Sequence, residues 1–265
     1  MKMPDRRPQA MNLLVVGQSH VAAIRAAAKS HRETYPDEPR TRVIHLSEPL
    51  YEPELISSEV NDYGGARLGP KLTAAIEDQI SRHQPRVASV IGGNAHNMLA
   101  LLRHPRPFDF VLAGEAGPPL DPGAELVPQA LVRAALAEKM QPDFARIRLL
   151  RGLAGELIHI ESPPPVRDEG FIAAHAESWF RERSGDEVHV AGVGVRWRIW
   201  RLASQLMREV ADAAGITFLA VPAALADASG FLKADYAADP THGNEAYGAA
   251  LIEALLNFQV PARDA

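Results

Sequence analysis

The strongest constraint on this chain is a set of short runs that are apolar almost throughout and recur between longer helical patterns. They are "NLLVVG" (12–17), "TRVIHL" (41–46), "RVASVIGG" (86–93), "LIHIES" (157–162) and "ITFLAVP" (216–222). A strand with one wet face alternates apolar and polar residues, whereas a strand covered on both faces does not. Each run therefore reads as a buried strand of a parallel sheet. The intervening segments supply the crossovers: "VAAIRAAAKSH" has alanine content and helical spacing, and "PKLTAAIEDQISRH" places Pro70 in a first turn. The expected architecture is α/β, a three-layer α/β/α sandwich around a five-stranded parallel sheet. In the last periodic segment, "NEAYGAALIEALLNF", Ala246, Leu251, Leu255 and Phe258 are expected to form one buried stripe.

A chain of 265 residues with 46% hydrophobic content is long enough for one substantial core. Residues 1–11 read as a flexible N-terminal tail and 12–260 as a single domain. A formal charge of -5 argues against a polyanion partner, since phosphate recognition needs clustered Lys and Arg. Zero cysteines exclude disulfides, thiolate catalysis and Cys-based zinc sites. "LLVVG" is too short for a membrane span or a signal-peptide core, and the expected location is cytoplasmic. The Pro- and Gly-rich stretch 104–128 reads as an irregular excursion that shapes a binding site.

In an open parallel sheet, ligands collect beyond the carboxyl ends of the strands. Ser19 follows the first strand there, in "VVGQSH". Two readings compete: a helix N-cap, for which Ser is preferred, or a nucleophile. A serine nucleophile needs an imidazole base and a group to orient it. "DYAADPTHGNEAYG" supplies Asp239 and His242 three residues apart, although Asp-Pro is also a good start for the final helix. Donors for an oxyanion are available at Gly64 or Gly65 in "VNDYGGARLG" and at Asn94 in "VIGGNAHN".

Taken together and in this order, the four blocks resemble the SGNH (GDSL-type) hydrolases. Gly17-Gln18-Ser19 looks like their first block, Gly65 best matches their second-block glycine, Gly92-Gly93-Asn94 matches the third, and Asp239-Pro240-Thr241-His242 matches the last. The resemblance implies a flavodoxin-like fold and a cofactor-free, metal-free serine hydrolase acting on esters or thioesters. Its substrate would be a small-molecule, carbohydrate or lipid ester, and an acyltransferase with the same residues is the alternative, followed by a non-catalytic binding protein. In that reading Ser19, Asp239 and His242 form the triad, and the oxyanion is held by the N-H groups of Ser19 and Gly65 and the side chain of Asn94. Two positions depart from the pattern. Gln18 and Ala95 replace acidic residues, and both substitutions are expected to remove braces from their loops.

Other residues have blander readings. His20 and His96 flank the site residues, where either is placed to touch substrate or to pair on a metal, but no carboxylate stands at ligand spacing and a metal site is not expected. Trp197 and Trp200 are expected to pack on the core while Arg196, Arg198 and Arg201 are solvated. Pro163 to Pro165 are expected at a pocket rim.

Overall fold

A computed structural model describes residues 11–57, 65–184 and 188–259. The expected tail up to Ala10, and Gly64, lie outside them. Five strands form the main sheet: β1 (Leu13–Gly17), β2 (Thr41–His45), β3 (Arg86–Val90), β4 (Ile158–Ile160) and β5 (Thr217–Leu219). All pairings within it are parallel, in the order β2-β1-β3-β4-β5. That is the flavodoxin-like order, whose direction reverses between β1 and β3 and opens a crevice at their carboxyl ends.

Eight helices cover the sheet: α1 (Val21–Thr34), α2 (Pro70–His83), α3 (Asn94–Ala100), α4 (Gln129–Ala154), α5 (Glu169–His175), α6 (Ser178–Ser184), α7 (Val193–Ala213) and α8 (Glu245–Asn257). Because side chains alternate along a strand, β1 serves two cores. Leu14 and Val16 join Leu72, Leu136, Phe144 and Leu202 from α2, α4 and α7. Leu13 and Val15 join Ile24, Leu251 and Leu255 from α1 and α8. The continuous apolar runs thus satisfy two helical layers at once.

The pairing of α1 with α8 matters most for the site, because the chain enters α1 from Ser19 and enters α8 from His242. At Gly248 a Cβ would lie 2.1 Å from the backbone oxygen of Ala23, so only glycine permits this helix approach.

Several expectations are corrected. The buried stripe of α8 is Tyr247, Gly248, Leu251, Ile252 and Leu255, whereas Ala246 is exposed and Phe258 lies beyond the helix, half-buried. A small antiparallel pair, Leu55–Ser57 with Ala66–Leu68, stands outside the main sheet. Within the 104–128 excursion, Phe108–Asp109 pairs with Glu125–Leu126. Its Asp109 is fully buried and takes Arg198 Nε at 2.7 Å, with Arg198 Nη2 on its other oxygen. Arg196 is equally buried, donating to the backbone oxygens of Ala191 and Arg167. Only Arg201 of the three arginines is partly exposed, held by Glu115 at 2.6 and 2.8 Å. Trp197 and Trp200 are buried as expected. Pro163 to Pro165 are buried rather than placed on a rim.

Candidate active site

The local geometry decides between capping and free side chains at both ends of the candidate site. The N-cap of α1 is His20, and Ser19 Oγ is buried without a hydrogen-bond partner among the described residues. The N-cap of α8 is Asn244, whose side chain accepts from the Tyr247 N-H at 3.1 Å. Neither Ser19 nor Asp239 is consumed as a helix cap.

Asp239 instead builds a turn around itself. Its Oδ1 accepts the backbone N-H groups of Thr241 and His242, each at 2.8 Å, and its Oδ2 lies 2.9 Å from His242 Nδ1. This fixes the imidazole with Nδ1 toward the carboxylate. The opposite nitrogen, Nε2, is buried and has no partner among the described residues. Burial pushes the Asp239 carboxyl up, but the hydrogen bond from His242, the Thr241 N-H and the imidazolium charge outweigh it and hold it at about 2. Burial likewise opposes the His242 imidazolium. The Asp239 hydrogen bond and charge, with the charge of Glu177, prevail and raise it above the ordinary value.

Beside this pair stands His20, its ring centroid 4.9 Å from that of His242. His20 directly follows Ser19, so the contact brings the turn after β1 and the turn before α8 together. The contact thus sets the turn that carries Ser19 beside the turn that holds the Asp239–His242 pair.

The third-block loop reaches the same corner. Gln18 Oε1 accepts the Gly92 N-H at 3.1 Å, tying the β1 turn to the β3 turn. The expected loss of bracing at Gln18 is thus reversed, since its longer side chain supplies a brace of its own. Ala95 is buried in the core, on the helix that packs against α4 and α7. A Cβ on Gly93, which has φ +99°, would sit 2.2 Å from His20 Nε2. Asn94 is the first residue of α3 and is exposed. Gly65 precedes the strand Ala66–Leu68 with φ 83°.

Two further histidines are buried, His96 in the first turn of α3 and His159 in the middle of β4. His96 and His159 are held neutral by burial, each lowered to about 4. His159 has a partner, Ser89 Oγ at 2.8 Å from its Nδ1. The residue to which sequence reasoning assigned no role is His20. Its available signal was position: imidazole is a poor N-cap, so a histidine in the first turn directly after Ser19 calls for another use.

Among the described residues, one trio has the spacing of metal ligands, Glu177, Asp239 and His242. His242 Nδ1 is already engaged by Asp239, and Glu177 is exposed at 3.7 Å from the same nitrogen, so the arrangement is that of an imidazole between two carboxylates. No described helix is long and apolar enough to cross a membrane.

No family model matches the sequence, and no curated protein matches it. Solved structures do resemble the fold. A GDSL-like lipase from Bacteroides thetaiotaomicron is 12% identical, with 96% of this chain and 89% of that chain covered and a TM-score of 0.40. The periplasmic domain of a lipopolysaccharide acetyltransferase from Salmonella ser. Paratyphi A is 15% identical, covering 93% and 82%, with a TM-score of 0.42. A carbohydrate acetylesterase from Sinorhizobium meliloti is 14% identical, covering 93% and 97%, with a TM-score of 0.39. At such distances side chains do not transfer position by position, and the chemistry has to come from the geometry of this chain.

Proposed function

We propose that this chain is a serine hydrolase of carboxylic esters or thioesters, with Ser19 as nucleophile, His242 as base and Asp239 as its orienting carboxylate. One observation supports the reading: among the described residues His242 Nε2, opposite the nitrogen held by Asp239, and Ser19 Oγ, one residue before the His20 ring that packs on His242, are both buried without a hydrogen-bond partner. Each such atom costs about 1–3 kcal/mol, and here two of them stand on the hydroxyl and the imidazole that acyl transfer requires.

In the proposed reaction, Ser19 Oγ adds to the carbonyl carbon while its proton passes to His242 Nε2. The carbonyl electron pair moves onto the oxygen, and the N-H groups of Ser19 and Gly65 and the amide of Asn94 are the assigned donors. Collapse breaks the bond to the leaving alkoxide, or thiolate in a thioester, which takes the proton from His242. Water then repeats the sequence and frees the acid. Asp239 holds the tautomer with hydrogen on Nδ1 and stabilises the imidazolium without taking its proton.

The test is labelling with a fluorophosphonate followed by peptide mapping, beside hydrolysis of p-nitrophenyl acetate. Label is expected on Ser19, and both label and turnover should vanish in Ser19→Ala with the fold intact. Full activity in that variant would remove Ser19 from the mechanism. Adding an alcohol acceptor separates hydrolysis from acyl transfer, since both pass through the same acyl-enzyme.

A further inference from the structure

His20 is the residue that this account leaves unused, and its surroundings are unusual for a structural histidine. It is 6% exposed, yet both ring nitrogens are buried without a hydrogen-bond partner among the described residues. His159, in the same protein and equally buried, shows the ordinary solution, with its Nδ1 on the Ser89 hydroxyl. A buried imidazole with two unsatisfied nitrogens is poorer than a leucine of similar bulk. Among the described residues four buried atoms without a partner, Ser19 Oγ, both His20 nitrogens and His242 Nε2, belong to His20, to its chain neighbour and to the imidazole packed on it. Such a set is completed by a ligand that brings its own polar atoms.

The position of the ring says which ligand atom it meets. His20 follows Ser19 in the chain, lies against His242 on one side, and abuts Gly93 of the third-block loop on another. It therefore stands between the proposed base and the loop that carries Asn94, with its Nε2 edge toward Gly93. We propose that His20 donates an N-H to the acyl oxygen of the substrate, as an additional oxyanion donor. The inference rests on the serine-hydrolase reading above. No bond is made or broken at His20: the hydrogen bond tightens as the carbonyl electron pair moves onto oxygen, which is when a donor lowers the barrier.

The protonation state suits the role. Burial first, then the neighbouring charges of His242 and His96, lower His20 to about 3 against a smaller opposing pull from Asp239. Its place at the start of α1 adds the positive end of the helix dipole, which also disfavours an imidazolium. Across the neutral range the ring keeps one hydrogen and one lone pair. It donates without competing with His242 for the serine proton.

The experiment compares His20→Leu, His20→Gln and His20→Asn on p-nitrophenyl acetate, with phenylboronic acid as an inhibitor that forms a tetrahedral adduct on serine. His20→Leu is expected to lose roughly 100-fold or more in kcat with KM changed less than about threefold. Boronate inhibition should weaken by a comparable factor, and Gln or Asn should recover about tenfold over Leu by restoring a donor. A kcat within threefold of the parent in His20→Leu, a loss confined to KM, or amide variants no better than Leu would each overturn the assignment. If the Leu variant does not fold, as judged by circular dichroism, the amide variants decide. A kcat within about tenfold of the parent supports the donor, and a 100-fold loss in both refutes it. Ser19→Ala runs alongside. Activity surviving there defeats the serine reading itself, whereas an inactive Ser19→Ala with a fully active His20→Leu defeats only the role of His20.

Discussion

Lowering the pH from 8 to 5 should destabilise this protein through its buried histidines, and the size of the effect follows from their surroundings. In the unfolded chain a histidine titrates near 6.5, whereas in the fold burial holds His20 at about 3 and His96 and His159 at about 4. A histidine with a depressed folded value contributes stability that is complete above 6.5 and is lost as the pH falls, because the unfolded state gains protons first. At pH 5 the unfolded form of each is almost fully protonated and the folded form almost fully neutral. Each group then costs about 2 kcal/mol, and the three together about 6 kcal/mol. Domains of this kind are stable by roughly 5–15 kcal/mol, so the loss is a large share of the total.

The window between pH 6.5 and 5 isolates these three from the other shifted groups at the site. His242 is raised, so its stabilisation is present below 6.5 and is lost only as the pH climbs through its folded value. Asp239, held at about 2 from an ordinary 3.8, loses its contribution only as the pH falls below about 4. Urea unfolding followed by tryptophan fluorescence at pH 8, 6.5, 5.5 and 5 measures the effect. Near pH 5 the stability should fall by about 4 kcal/mol per pH unit, the signature of nearly three protons taken up on unfolding. His159→Gln should reduce that slope by about 1.4 kcal/mol per unit. A parent slope below about 1.4 would mean that fewer than one proton is taken up, and that these imidazoles are not held neutral.

Asp239→Asn should lower kcat by about 10⁴-fold, because an amide no longer enforces the reactive tautomer. The acid limb of kcat/KM, expected above pH 6.5 in the parent since Asp239 raises His242, should move to lower pH in the same variant; an unmoved limb would detach Asp239 from the base. Gly248→Val forces a branched side chain onto the Ala23 carbonyl and should cost about 3 kcal/mol, seen as a melting temperature lower by about 6–12 °C. A change under 2 °C would show that α1 and α8 separate freely, and that their crossing does not hold the two turns together.

How much of this could be read from the chain depends on the range of each interaction. The strands were legible because an apolar run buried on both faces is a local property, and β1 at Leu13–Gly17 falls within the predicted segment. The stripe of α8 slipped in phase for a chemical reason. A reading that counts only aliphatic positions passes over Tyr247 and Gly248, which are the buried tyrosine and the point of closest approach to α1. The arginines between the tryptophans looked solvated because the carboxylate that buries Arg198 lies 89 positions away. Gln18 looked like a lost brace because its partner, the Gly92 N-H, lies 74 positions away.

The candidate site shows the same division. That Ser19 and His242 end a strand and precede a helix was visible, but whether their neighbourhoods leave those side chains free was not. Capping is a competition between adjacent residues, and single positions do not reveal its winner. Here His20 takes the cap position of α1 without a side-chain hydrogen bond, and Asn244 takes that of α8 with one. The first outcome leaves a hydroxyl unused, and the second leaves a carboxylate to orient an imidazole. A single exchange of caps, with Ser19 bonded into the first turn of α1 or Asp239 into that of α8, would have produced the same sheet and the same helix pairing with no reactive corner. On the proposed reading, the chemistry is therefore set less by the fold than by which of two neighbouring residues closes each helix.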